Sequence, residues 1–152
     1  MVGRAMFLSV ACTVFGFAAG IYAASGPQMI VTPIEGAVFK PMDPARPGSP
    51  EVAILRGDPA NGPSSMLMKF GRGEGRMHVH SSDYDLVVVK GQMKHWQPGE
   101  TAETAKLLGP GSYWFQPGNQ THVDSCLSDE CLMYVQWGGK RDSRAVESTG
   151  AN

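Results

Sequence analysis

From residue 51 onward, the sequence alternates short runs of strand-forming residues with turns rich in Gly, Pro and Asn. The runs cover residues 51–55, 65–70, 76–80, 85–90, 92–96, 105–108, 112–115, 121–126 and 131–137. No segment shows a convincing helical period, and 19 Gly and 11 Pro residues favour many turns over a bundle of helices. The pattern therefore predicts an all-β fold in which antiparallel strands form a sandwich or a barrel.

The first residues have the pattern of an export signal. Arg4 precedes an apolar run over residues 5–23, and small residues follow where a signal peptidase would cut. Cleavage after Ala23 is predicted, and cleavage after Ala24 fits nearly as well. A retained membrane anchor is the alternative, because the run is just long enough to span a bilayer. Removal of residues 1–23 predicts a periplasmic or secreted protein that makes no membrane contact after cleavage.

The rest of the chain has the size of one domain. Residues 24–50 form a proline-dotted extension, residues 51–140 hold the strands of the barrel, and residues 141–152 form a polar tail that we expect to be loose. The formal net charge is −1, and no long run of one sign occurs. The chain therefore lacks the basic footprint of a nucleic-acid-binding domain.

Cys126 and Cys131 form an even pair once Cys12 is removed with the signal. In an oxidising compartment, such a pair predicts a disulfide across the turn LSDE, which would join two antiparallel strands. Two unpaired buried thiols are the alternative.

Two histidines, His78 and His80, are two positions apart in the run MHVH. Residues two apart on a strand project from the same face, so both imidazoles can converge inside the barrel. Burying them without partners costs free energy, and a shared metal ion removes that cost. His122, from a distant strand, is the candidate third ligand.

Two stretches, GRMHVHSSDYDLVVVKG and GSYWFQPGNQTH, resemble the two histidine motifs of the cupin superfamily. The first motif matches at the histidine pair and at Gly91, and the second matches at Gly111, Pro117 and His122. The resemblance covers about residues 50–138 and is closest to small single-domain cupins allied to anti-sigma-factor cupin domains. It implies an antiparallel double-stranded β-helix, or jelly-roll barrel, with the three histidines at a metal site.

The chain departs from the cupin motifs at two positions. Asn119 stands where the second motif has glycine, and asparagine can adopt the same left-handed backbone. The glutamate of the first motif is missing: counting forward from His80 gives Asp85, whereas counting back from Gly91 gives Tyr84. We expect Asp85 and every second residue after it to face inward, which makes Asp85 the fourth metal ligand. The alternative is an outward Asp85 and a site of three histidines and water.

Three imidazoles and one carboxylate leave open positions on a metal ion for a substrate or dioxygen. The resemblance implies one divalent ion (Fe, Mn, Zn, Ni or Cu) and a metalloenzyme, of the oxygenase or oxidoreductase kind, that acts on a small molecule. A non-catalytic module that binds a metal or a small ligand is the alternative. Barrels of this family often pair, so a homodimer is a further expectation.

A proton-transfer group near the metal would separate these two functions. The sequence offers only Tyr84, Asp83 or His95 for that role. His95 lies beside a turn and next to Trp96, so we expect it at the surface or at the rim of the barrel.

Overall fold

The computed structural model describes residues 28–147. The chain divides into two compact units, Met1–Val31 and Thr32–Asn152, and every described strand lies in the second. The export signal predicted for residues 1–23, with Cys12, lies outside the described residues. Within residues 28–147, no helix has the length and apolar character needed to cross a membrane.

The described strands pair only in the antiparallel sense, so the predicted antiparallel all-β fold is confirmed. A short 3-10 helix, Ile34–Gly36, precedes them. The strands are β1 (Lys40–Pro41), β2 (Glu51–Gly57), β3 (Ser64–Glu74), β4 (His78–Val79), β5 (Tyr84–Lys90), β6 (Met93–Trp96), β7 (Tyr113–Gln116), β8 (Val123–Trp137) and β9 (Arg144–Ala145). The run at residues 105–108 forms no strand and makes only an isolated bridge, between Leu108 and Met93.

The long strand β8 is the centre of the larger sheet. The strand order is β1-β2-β3-β8-β5-β7, and β6 also pairs with β8. The two runs at residues 121–126 and 131–137, predicted as separate strands, join in β8: the first part pairs with β6 and the second with β5. The strands β4 and β9 form a separate two-stranded sheet. Residues 144–145 of the tail are therefore paired, where the sequence predicted a loose segment.

The core is filled from alternate positions of neighbouring strands. Every second residue of β5 lies opposite a buried residue of β8, and both sets are large and apolar or aromatic. The facing pairs are Tyr84 with Trp137, Leu86 with Val135, and Val88 with Met133.

The register predicted for β5 is wrong. Asp85 lies on the outer face, where the Tyr113 hydroxyl donates a hydrogen bond to its carboxylate, and Val89 is 46% exposed. Tyr84 takes the inward position instead. The predicted register would have buried the Asp85 carboxylate and exposed Tyr84 and Leu86, which costs both a desolvated charge and lost apolar burial.

Three residues of the histidine motifs, Gly91, Gly111 and Asn119, have left-handed backbones. Gly91 has a φ of 88°, and a Cβ there would lie 2.7 Å from the Glu130 carbonyl oxygen and 2.8 Å from the Cys131 sulfur. Only glycine fits this turn between β5 and β6. Asn119 has a φ of 62°, which confirms that it adopts the left-handed backbone expected there.

The predicted disulfide is confirmed. Cys126 and Cys131 are bonded, and their Cα atoms are 5.9 Å apart. Cys126 pairs with Gly73 of β3 and Glu130 pairs with Gly71. Residues 127–129 have no partner on β3 and form a short irregular excursion of β8. The bond closes the base of this excursion.

The chain without residues 1–23, unfolded in denaturant, is expected to show no free thiol. Reduction should lower the free energy of unfolding by only about 2 kcal/mol, because the bond closes a very short loop. Thiol titration and urea unfolding, with and without reductant, measure both quantities. A Cys126→Ser, Cys131→Ser double variant should match the reduced protein, whereas two titratable thiols in protein recovered without reductant would contradict the bond.

Candidate metal centre

The structure brings the three predicted histidines together. His78 and His122 form an isolated bridge, in which each backbone N–H donates to the other's carbonyl at 3.0 and 2.9 Å. His80 follows β4 on the same face as His78. One ligand nitrogen from each of the three rings lies within 4.8 Å of the others. This spacing is close to what one ion with metal–nitrogen bonds of about 2.0–2.1 Å spans.

Backbone carbonyls fix the orientation of all three rings. The Nδ1 atom of His78 lies 2.8 Å from the Arg76 carbonyl oxygen, and that of His122 lies 3.2 Å from the Gln120 carbonyl oxygen. The Nδ1 of His80 contacts the carbonyl oxygen of Asp142. A carbonyl only accepts, so Nδ1 carries the proton in each ring and Nε2 keeps its lone pair. Metal-ligating histidines show this arrangement.

Burial keeps two of the three imidazoles, those of His80 and His122, neutral. His122 is fully buried and His80 is nearly so. Burial lowers the pKa of His122 to about 4 and also lowers the pKa of His80. The neutral form is the one that binds metal ions, so both rings are ready to coordinate at neutral pH.

Asp85, the predicted fourth ligand, does not reach the histidines, because it lies on the outer face of β5. Tyr84 is the residue that faces them: its hydroxyl oxygen is 3.2 Å from Nε2 of His122, and Trp114 Nε1 donates to that oxygen at 3.4 Å. Burial raises the pKa of Tyr84 well above its ordinary value. The phenol therefore stays neutral, and a neutral phenol is a weak metal ligand.

A carboxylate that the sequence analysis missed, Asp124, lies at the histidine cluster. Its Oδ2 atom is 3.8 Å from Nε2 of His78 and 3.7 Å from Nε2 of His122. Burial alone would raise the pKa of Asp124, but the hydrogen bond from His95 and the nearby histidines hold it below its ordinary value. The signal was present in the sequence, because Asp124 follows His122 at the spacing that places both on one face.

His95 is not the rim residue that the sequence predicted. Its side chain is 15% exposed and stacks on Trp114, with 4.7 Å between ring centroids. Nδ1 lies 2.7 Å from Oδ1 of Asp124, and Nε2 lies 3.0 Å from Oε1 of Gln116. The Gln116 amide nitrogen donates to the carbonyls of Pro117 and Gln120, so its oxygen must face His95. Both ring nitrogens thus face acceptors, an arrangement that suits a doubly protonated ring paired with the Asp124 carboxylate.

Two cavities meet at this cluster. The inner cavity has a volume of about 50 Å³, and the outer cleft has a volume of about 640 Å³. Phe70, His78 and Asp124 line both. A molecule bound in the cleft is therefore adjacent to the histidine cluster.

Comparisons with known proteins identify a family and a fold. The family model described as "Domain of unknown function (DUF4437)" matches residues 35–142. A sequence search among curated proteins finds no match.

Three solved structures are similar in fold. KdgF from Halomonas sp. is 21% identical, with 76% of this chain and 97% of that chain covered at a TM-score of 0.59. An RmlC-like cupin from Shewanella frigidimarina is 19% identical, with 73% and 91% covered at a TM-score of 0.57. The polyketide cyclase RemF from Streptomyces resistomycificus is 19% identical, with 80% and 88% covered at a TM-score of 0.63. These likenesses confirm the cupin fold, an antiparallel double-stranded β-helix.

Proposed function

The chain belongs to the DUF4437 family, whose domain is of the cupin type, and on this premise we propose that it is a metal-dependent enzyme acting on a small molecule. One divalent ion, Fe, Mn, Zn, Ni or Cu, is held by Nε2 of His78, His80 and His122. The observation that carries the proposal is the anchoring of all three Nδ1 atoms on backbone carbonyls. This anchoring leaves three lone pairs converging on one point.

Asp124 is the fourth ligand in this proposal, in place of Asp85. Its Oδ2 atom is close to two ligand nitrogens, and its Oδ1 atom is held by His95. A set of three imidazoles and one carboxylate suits all of the candidate ions. The ion would supply Lewis acidity to an oxygen atom of the bound molecule.

The pairing of His95 with Asp124 favours an enzyme over a non-catalytic binding module. His95 offers a proton beside the cluster, and Gln116 and Trp114 hold its ring in place. Holding Asp124 would serve either function, but a proton donor fixed next to a metal site is also what acid–base catalysis requires. Catalysis is therefore the better supported of the two functions that the sequence left open.

The reaction proposed first is oxygenation or another oxidoreduction of the small molecule. The proton that His95 offers supports a second candidate, an acid–base reaction without net redox change. Once screening has found a substrate, turnover measured with different bound ions distinguishes the two reactions. Turnover with redox-inactive Zn²⁺ would support the acid–base reaction, and turnover that requires Fe²⁺ would support oxidoreduction.

We propose that the protein is exported after removal of residues 1–23. The Cys126–Cys131 disulfide supports this location, because such bonds persist in oxidising compartments. Homodimerisation stays a prediction.

The metal proposal is tested by a matched pair of aspartate variants. Asp124→Asn is expected to weaken metal binding by roughly 10- to 100-fold, because it removes the charge of a ligand. Asp85→Asn is the control, since it makes the same change on the outer face of β5 and should leave affinity at the wild-type value. Competition with a chromogenic chelator measures both.

Equal metal affinity in wild type and Asp124→Asn would show that Asp124 is not a ligand and that the three histidines alone hold the ion. Weakened binding in Asp85→Asn alone would instead restore the ligand predicted from the sequence. If wild type binds no divalent ion at one equivalent, the metal centre is wrong.

A further inference from the structure

A cationic side chain, Arg141, lines the inner cavity beside the histidine cluster. The backbone N–H of Arg141 donates to the Pro59 carbonyl at 2.8 Å, which fixes the start of the segment leading to β9. The side chain is partly buried, and burial lowers its pKa from the ordinary value. A guanidinium remains protonated under such a shift, so the cavity contains a positive charge.

This charge has no ion-pair partner in the described part of the chain, and the Asp142 carboxylate, on the next residue, only partly offsets the effect of burial on the Arg141 pKa. No carboxylate of residues 28–147 lies within ion-pair distance of the Arg141 guanidinium. Nη2 of Arg141 donates to the sulfur of Met42 at 3.2 Å, and a thioether sulfur is a weak acceptor. The neighbouring Asp142 carboxylate accepts hydrogen bonds from the backbone and hydroxyl of Ser81 at 2.8 and 2.7 Å.

A partly buried charge without an ion-pair partner is costly, and a bound anion would reduce that cost. The charges at the cluster favour the same ligand. The proposed divalent ion, the Asp124 carboxylate and the Arg141 guanidinium would together carry a net positive charge. The outer cleft adds the exposed guanidinium groups of Arg46 and Arg76, partly balanced by Glu74.

Apart from Arg141 and the polar side chains of the histidine cluster, among them Asp124 and Tyr84, the lining of the inner cavity is apolar. The apolar part is formed by Met68, Phe70, Leu86, Val135 and Trp137. The volume of about 50 Å³ admits a group of only a few heavy atoms. The cavity therefore combines one cationic end with an apolar body of small size.

We propose that this cavity binds a small carboxylate, whose carboxylate group pairs with Arg141 while its apolar carbons lie against the hydrophobic wall. The inference rests on the proposed function, because it names the substrate class of the same site. The outer cleft holds any larger part of the molecule, and its arginines attract the anion toward the cavity.

The test compares propanoate with propanamide, two probes of nearly equal shape that differ in charge. Isothermal titration on wild-type protein, with and without one equivalent of Zn²⁺, should show propanoate binding about tenfold or more tightly than propanamide in both states. Equal binding of the two probes in both states would overturn the proposal without any variant.

Arg141→Gln is expected to remove this preference. Its affinity for propanoate should fall about tenfold or more, and its affinity for propanamide should be unchanged. Arg141→Lys should restore part of it, and Arg56→Gln, an exposed change on β2, should have no effect. Unchanged propanoate binding in Arg141→Gln would overturn the proposal. Circular dichroism checks that each variant is folded.

The metal-free titration separates this inference from the metal proposal. If no Zn²⁺ binds but propanoate still depends on Arg141, the metal centre fails and the carboxylate site stands. If Zn²⁺ binds but propanoate affinity is the same in wild type and Arg141→Gln, the carboxylate site fails and the metal centre stands.

Discussion

Replacing His122 with alanine is expected to abolish stable metal binding, with a loss of affinity greater than about 100-fold. His122 is fully buried, and its Nε2 atom lies between the Tyr84 hydroxyl and Asp124. No other described nitrogen can take its place, because the only remaining histidine, His95, already has both ring nitrogens bonded. Metal content after dialysis, measured by elemental analysis, should fall from one equivalent to near zero.

Tyr84→Phe is the control for this experiment. It removes a hydroxyl at the same cluster but leaves all of the proposed ligands, so one equivalent should remain. A His122→Ala protein that is folded and retains one equivalent as tightly as wild type would show that the histidines do not share an ion. Loss of metal from Tyr84→Phe would instead show that the phenol oxygen of Tyr84 is also a metal ligand.

The metal-free protein is expected to lose about 3 kcal/mol of stability as the pH falls from about 6.5 to about 4, because His122 is held neutral. The pKa of a histidine in the unfolded chain is about 6.5, and burial lowers that of His122 to about 4. Between these values the unfolded state binds a proton that the folded state does not, so the free energy of unfolding decreases with falling pH. His80 shifts in the same direction and adds to the loss.

Urea unfolding of chelator-treated protein at several pH values between 7 and 4.5 measures this slope. His122→Gln should flatten it, because the variant has no proton to gain on unfolding at that position. Asp124 acts outside this range, since its pKa is held below the ordinary value for aspartate. A wild-type slope equal to that of His122→Gln would show that His122 does not remain neutral on folding.

The three histidines of the cluster could be predicted because the spacing of residues on a strand fixes their relation. His78 and His80 share a face by the two-residue period, and the turn before His122 follows a recognisable motif. The same two-residue period also places Asp124 on the face of His122, so this carboxylate could have been predicted. Asp85 was predicted instead because it stands where the cupin motif has its glutamate.

The register of β5 could not be predicted from spacing alone, because Tyr84 and Asp85 both fit the motif. Tertiary packing decided between them: the inward face that buries Tyr84 and Leu86 lies against the buried face of β8. His95 was missed for a similar reason. Its partners, Asp124 and Gln116, come from other strands and are not marked by its own neighbours in the sequence.

The contact between His80 and the Asp142 carbonyl could not be predicted from the sequence, because every residue has a backbone carbonyl. The polar composition of the tail predicted a loose segment, yet Arg144 and Ala145 pair with β4. Backbone interactions of this kind depend on the path of the chain and not on the side chains.

The pairing of β4 with β9 also predicts an order of events during folding. His80 is oriented by a carbonyl 62 residues further along the chain, and β9 pairs with β4, the strand that carries His78. Closing so long a segment costs chain entropy, so this sheet should form only after β3, β5 and β8 have assembled. An ion that arrives earlier meets imidazoles that are not yet aligned. For the proposed metal centre, loading is therefore expected to be a late step, which follows folding and does not nucleate it.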